Sequence, residues 1–225
     1  MVSSKRFYSN SPLISTSKRI ISLSGSIIDS RSAIAQRITI FDHMKVVFHL
    51  LMLMLLILIL LDIKYATADN FVEEKMYDCG KCFLRPEVAR AMVKAQAMLR
   101  EQGYGLLMYD CYRPKPFQQK LWDKVPDPRY VSPPGSGSMH GRGLAVDLTL
   151  VDAEGNLMDM GTGYDFFGER AYQTFEDLPS DVLANRKLLN KTMEAVGLSP
   201  IRTEWWHFSM RGLKYEGSDW VWPCP

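Results

Sequence analysis

Histidine is scarce in this chain. Four occur in 225 residues, and only two of them, His140 and His207, lie beyond residue 68. Cysteine is as sparse, and Cys79, Cys82, Cys111 and Cys224 all fall in that same stretch. Cys79-Gly80-Lys81-Cys82 has the C-x-x-C form of a redox or zinc site. No second C-x-x-C accompanies it and no thioredoxin-like βαβ pattern surrounds it, so structural disulfides are expected. Four cysteines allow three pairings, and sequence does not choose among them. An excess of charge is also missing. Of 27 Lys/Arg and 25 Asp/Glu, the first 68 residues hold 8 and 3, leaving 19 basic and 22 acidic residues after them. That mildly acidic remainder argues against a nucleic-acid partner, for which a basic patch or stripe is needed. Internal repeats are absent. With 47% hydrophobic and 23% charged residues, the chain is neither a disordered polar polymer nor a fibrous one.

Long apolar runs are limited to one. Met44-Lys45 leads into a nearly unbroken run ending at Leu61, followed by Asp62, Lys64 and Ala66-Thr67-Ala68. A basic start, an apolar stretch of about 15 residues and an A-x-A site read as a secretory signal peptide over 44–68. The run is shorter than the roughly 20 residues of a spanning helix, although an uncleaved anchor is the alternative. Residues 1–43, rich in Ser and Arg and poor in acids, read as an over-extended or disordered N-terminal segment. The folded domain is therefore expected at 69–225, with the protein exported to the periplasm or secreted.

Within 69–225 the patterning predicts a helix over 86–102, with Pro86 in its first turn and Gly103 at its stop. A short buried strand follows at 105–109, then a second helix over 116–124 and a loop over 125–138. Residues 143–151 alternate large apolar Leu144, Val146, Leu148 and Leu150 with Ala145, Asp147 and Thr149, as a strand does. Glu154-Gly155-Asn156 is a turn, after which 157–160 pairs back. A third helix is expected over 181–196, with Ser180 as its N-cap, and an aromatic-rich strand over 204–210. Helices and strands do not alternate regularly. The expected fold is α+β, one domain with a small, mostly antiparallel sheet.

Asp147 needs a reason to sit on an otherwise apolar strand, because burying an unpaired carboxylate costs several kcal/mol. A metal or an arginine would supply one. His140 lies just upstream, set off by glycines that let the backbone bend near a ligand. Glu204-x-x-His207 adds a third nitrogen or oxygen ligand and a second carboxylate. Residues three apart on an ideal strand face opposite ways, so Glu204 must stand at the strand's start or at a bulge if both are to reach one metal. Alone, each piece fits a blander role as a hydrogen-bonded core histidine or a salt-bridged carboxylate. Together they place both remaining histidines in motifs that also carry a carboxylate. Three protein ligands with one open position is the catalytic pattern of Zn²⁺.

These residues resemble the zinc D-Ala-D-Ala dipeptidases of the VanX type, within the DD-peptidase/Hedgehog fold group. Ser138, His140, Gly143, Ala145 and Asp147 match S-x-H-x-x-G-x-A-x-D, and Glu204, Trp206 and His207 match E-x-W-H. Tyr112-Arg113-Pro114 matches Y-R-P, and Met160-Gly161 with Tyr164-Asp165 matches M-G-x-x-[FY]-D. The resemblance covers about Cys82 to Arg211 and implies a Hedgehog/DD-peptidase-like domain. It implies one zinc ion on His140, Asp147 and His207, Glu204 as catalytic base and Arg113 as oxyanion stabiliser. Asp165, helped by Ser138, would bind the substrate's free ammonium. Asp110 either orients Arg113 or is a plain surface residue.

The implied activity is hydrolysis of D-alanyl-D-alanine to two D-alanines through a zinc-activated water, with the small dipeptide as substrate and no stable membrane partner after signal cleavage. A D,D- or L,D-carboxypeptidase or endopeptidase acting on peptidoglycan stems is the alternative. A non-catalytic zinc-stabilised binding module is the reading from another class. The leader departs from the family pattern, whose best-known members are cytoplasmic.

Overall fold

The computed structural model describes Lys45, residues 59–135 and residues 137–225. Apart from Lys45, these all belong to one compact unit, Val46–Pro225. The N-terminal segment 1–43 and the apolar run up to residue 58 lie outside the described residues.

Five strands form one sheet in the order β1-β2-β3-β5-β4. They are β1 (Leu60–Leu61), β2 (Gly105–Asp110), β3 (Ala145–Val151), β4 (Ser199–Ile201) and β5 (Glu204–Ser209). Only β1 runs parallel to its neighbour; the other pairings are antiparallel. Among the described residues three helices accompany the sheet: α1 (Pro86–Arg100), α2 (Lys115–Lys124) and α3 (Ser180–Ala195). The expected α+β fold with a mostly antiparallel sheet is thus what forms. Helix α1 begins on Pro86, whose missing N–H falls where helix donors have no partner. It buries Val88, Ala91, Met92, Ala95 and Leu99, the stripe that a period of 3.6 selects. Helix α3 starts one residue early, at Ser180, with Pro179 as the capping residue and no side-chain cap.

Every residue of β3 is buried, so the polar face of its alternation is covered as thoroughly as the apolar one. After the turn at 154–156 only Leu157 bridges back, to Val151.

Chain upstream of the expected boundary at residue 69 packs against the sheet. Leu60 and Leu61 pair with Leu107 and Met108 of β2, and the Asp62 amide donates to the Met108 carbonyl at 2.9 Å. Ile63 and Tyr65 are buried in the core. The Tyr65 carbonyl accepts from the amides of both Met76 and Tyr77 at 2.8 Å. Fully burying side chains of this size contributes roughly 1.5–3 kcal/mol each, so the fold takes in chain that the A-x-A reading would discard.

The cysteines form Cys79–Cys224 and Cys82–Cys111. The first fastens the C-terminal tail, which has no regular structure but is well anchored. Trp222 is buried against Tyr77, Phe83 and Phe117, and its indole N–H donates to the Cys79 carbonyl at 3.2 Å. The Ser218 amide donates to the Gly141 carbonyl at 2.9 Å, and the Ser218 carbonyl accepts from the Lys115 amide at 3.1 Å. The tail therefore braces the two loops that carry Arg113 and His140.

Candidate metal centre and substrate pocket

Sheet register builds the site. Asp147 on β3 lies directly across from His207 on β5 and beside Asp110 on β2, where a bulge between Met108 and Asp110 shifts the pairing. His140 comes from a 3₁₀ turn, His140–Arg142, that ends on Gly143 with φ 71°. That left-handed conformation suits glycine and turns the chain straight into the strand bearing Asp147. Glu204 is the first residue of β5, next to an irregularity in its pairing with β4 between Pro200 and Ile201. This is the strand-start position its spacing from His207 requires.

Three ligand atoms converge. His140 Nε2 lies 3.1 Å from His207 Nδ1 and 3.2 Å from Asp147 Oδ1, and His207 Nδ1 lies 2.9 Å from the same oxygen. His140 Nδ1 is 2.7 Å from the Cys111 carbonyl, which can only accept, so Nδ1 carries the proton and Nε2 presents a lone pair. The Tyr164 hydroxyl donates to Asp147 Oδ2 at 3.0 Å, leaving Oδ1 to face the imidazoles. Burial alone would raise the Asp147 carboxyl, but His140 and His207 hold it well below the usual carboxylate range. Lone pairs pointed at one centre repel unless a cation lies between them. Tetrahedral zinc with bonds of ~2.0–2.1 Å separates its ligands by about 3.3 Å, close to the edges of this triangle. The donor set of two imidazoles and a carboxylate fits zinc, and three ligands leave a position open.

The triangle borders a cavity of ≈ 240 Å³ whose lining includes Arg113, Ser138, Asp165 and Glu204. The candidate ligands His140, Asp147 and His207 thus share one cavity with Arg113, Ser138, Asp165 and Glu204. Arg113 is buried, donating from Nε and Nη2 to Asp110 Oδ2 at 3.0 and 2.7 Å and from Nη1 to Gln118 Oε1 at 3.1 Å. Asp110 is itself buried and accepts from the Tyr77 hydroxyl at 2.8 Å, which makes it an orienting partner and not a surface residue. These bonds use three of the five guanidinium N–H groups, so two remain. Glu204 Oε2 stands 4.0 Å from His207 Nδ1. Burial pushes its carboxyl up, His207 pulling against and Asp147 adding to the shift. Asp165 is raised well above the ordinary range by burial and by Asp147, with Arg113 opposing. A carboxylate so placed is relieved by an incoming cation.

The family model described as D-ala-D-ala dipeptidase matches residues 54–218. The chain belongs to the D-ala-D-ala dipeptidase family. The D-alanyl-D-alanine dipeptidase of Escherichia coli (strain K12) is 40% identical over 150 residues, 67% of this chain and 78% of that protein. That of Enterococcus faecium is 33% identical over 188 residues, 72% of this chain and 91% of its own length. A third, from Enterococcus faecalis (strain ATCC 700802 / V583), is 32% identical over 170 residues, covering 66% and 84%.

The dipeptidase match begins well before residue 69, in keeping with the strand at Leu60–Leu61. Sequence reasoning missed four aromatic pocket residues, two in the segment before α1, one in the loop after α2 and one in the loop after β3. Tyr65, Phe71, Tyr130 and Phe167 all line the cavity. Trp206 lines it as well, whereas Trp205 and Trp222 are packing residues.

Proposed function

We propose that this protein hydrolyses D-alanyl-D-alanine to two D-alanines, with zinc held by His140, Asp147 and His207. The observation that carries the reading is the triangle of ligand atoms, edges 2.9 to 3.2 Å, opening on the pocket that holds Glu204 and Arg113. Zinc bound there would supply a Lewis acid that polarises a carbonyl and acidifies a coordinated water. Glu204, a carboxylate with its basicity raised by burial, takes the proton of the attacking water and returns it to the leaving amine. Arg113 directs its two remaining N–H groups at the oxygen that becomes negative, and Asp110 and Gln118 keep its plane fixed. Asp165, with Ser138 nearby, receives the free ammonium of the substrate.

A cavity of ≈ 240 Å³ suits a ligand smaller than those filling the roughly 300–1,000 Å³ pockets of drug-sized molecules. That and the carboxylate at the ammonium position favour a dipeptide over a peptidoglycan stem, which has no free amine at that point. A silent binding module would have no use for a buried, oriented Arg113 or for Glu204. Two disulfides and no free cysteine among the described residues favour an oxidising compartment outside the cytoplasm. There the enzyme would recycle cell-wall dipeptides. Among the described residues, no helix is long and apolar enough to cross a membrane.

The purified full chain should release D-alanine from the dipeptide, lose that activity on chelation and regain it with zinc. Glu204→Ala should bind zinc normally yet turn over almost nothing. Undiminished hydrolysis by the metal-free protein would overturn the reading, and faster hydrolysis of a pentapeptide stem would redirect it to a carboxypeptidase.

A further inference from the structure

A second cavity, of ≈ 220 Å³, opens beside the turn that carries His140. Arg85, Arg142 and the rings of Phe83, Tyr112 and Trp220 line it, and it shares no lining residue with the substrate pocket. Trp220 is 50% exposed and Phe83 36%, although rings of this size are normally drawn into a core.

The walls are nonetheless fixed. The Phe83 and Trp220 rings meet edge to face at 5.0 Å, and the Tyr112 ring lies 6.3 Å from Trp220 at only 21° to it. The Tyr112 hydroxyl donates to the Trp220 carbonyl at 2.9 Å, and the Tyr112 amide donates to the Phe83 carbonyl at 3.0 Å. Cys79–Cys224 fastens the tail beyond. Trp220 lies past residue 218, where the family match ends, so this wall comes from the chain's own C-terminal tail.

The charge of the cavity is unanswered. Arg85 Nε donates to the Arg142 carbonyl at 2.9 Å, and its guanidinium lies 4.3 Å from the centre of the Tyr215 ring. Arg142 Nε is buried without a hydrogen-bond partner. Among the described residues neither arginine forms an ion pair. Glu87 accepts from the Tyr215 hydroxyl at 3.1 Å, and Asp219 is exposed. A buried donor without an acceptor is costly, and the planar guanidinium fork matches a carboxylate. Flat aromatic walls match an apolar body.

We propose that this cavity is a binding site, separate from the substrate pocket, for a small free carboxylate carried on a flat apolar body. The carboxylate pairs with Arg142 and Arg85, and the body lies against Trp220 and Phe83. The volume, below the roughly 300–1,000 Å³ of drug-sized sites, limits that body to about one ring system. Nothing in this proposal depends on the dipeptidase reading.

The probe is phenylacetate, titrated calorimetrically into the full zinc-loaded chain. It should bind with a Kd of about 1 mM or tighter. Acetate, which lacks the ring, and 2-phenylethanol, which lacks the charge, should each bind at least tenfold more weakly. Arg142→Gln should weaken phenylacetate about tenfold or more, the loss of a bond between charged groups, and Trp220→Ala should weaken it severalfold. Arg100→Gln removes the same charge at the other end of α1 and should leave binding unchanged. Binding should also persist after chelation, because no side chain of this cavity is a candidate metal ligand.

No binding below about 10 mM would overturn the proposal. So would full affinity in both Arg142→Gln and Trp220→Ala, or a signal that vanishes with zinc and so belongs to the substrate pocket. Should either variant melt early, the three probes compared on the unaltered chain decide, and equal binding of phenylacetate and 2-phenylethanol would refute the arginine role.

Discussion

Arg113 illustrates how one buried side chain can be fixed and still be available. Burial would lower its pKa, but Asp110 and the surrounding tyrosines hold it well above the ordinary arginine value, so it stays charged. Its fork is what matters: two atoms bind Asp110, a third binds Gln118, and the remaining N–H groups share the plane they define. A lysine keeps the charge and loses the plane. Arg113→Lys should therefore lower kcat on the order of 10²–10³-fold, the scale of a lost oxyanion donor, with a smaller change in KM. Steady-state kinetics on zinc-loaded protein measures this, and near-normal kcat would assign the residue to ground-state binding. At this scale the centre was readable from the sequence. Metal chemistry admits few residue types, and His140, Asp147, Glu204 and His207 are of those types. Tyr65 and Tyr164 were not readable in the same way. A tyrosine that orients a carboxylate is spelled like one that fills a core, and Tyr65 also sits beside the apolar run that reads as a leader.

Elements add precision that residue chemistry lacks. A two-residue strand such as β1 has no alternation to detect, and β4 is three residues around a proline, so neither announces itself; both appear only because β2 and β5 offer edges to pair with. The longer elements, α1 and β3, were legible because their stripes run for two or more periods. Gly143 belongs to this scale. It ends the turn carrying His140 with φ 71°, and a Cβ there would touch Arg85 Cγ at 3.4 Å. Space is adequate; the backbone conformation is what disfavours a side chain. Gly143→Ala should destabilise the fold by about 1–2 kcal/mol through the left-handed penalty. Denaturant titration measures it. Any relaxation of φ would swing His140 Nε2 away from Asp147, so isothermal titration with zinc should report weaker binding in the same variant.

Over the whole molecule, the two disulfides divide the labour of holding the site. Cys79–Cys224 spans 145 residues of sequence, and Cys82–Cys111 spans 29. Loop-closure entropy alone gives the longer bridge about 5 kcal/mol and the shorter about 3.6 kcal/mol, both upper limits. Their local neighbours differ more than these figures. Cys111 contributes the carbonyl that sets the His140 tautomer and stands two residues before Arg113. Cys224 holds a tail whose main deposit in the core is Trp222. The two effects should therefore be ordered oppositely. Replacing Cys79 and Cys224 with serine should cause the larger drop in thermal midpoint. Replacing Cys82 and Cys111 should cause the larger loss of zinc affinity, about 10–100-fold, as for other groups that orient a metal-binding histidine. Melting curves of the metal-free proteins give the first ordering, and competition with a chromogenic chelator gives the second. If both pairs weakened zinc equally, the Cys111 carbonyl would be held by the sheet and not by its disulfide.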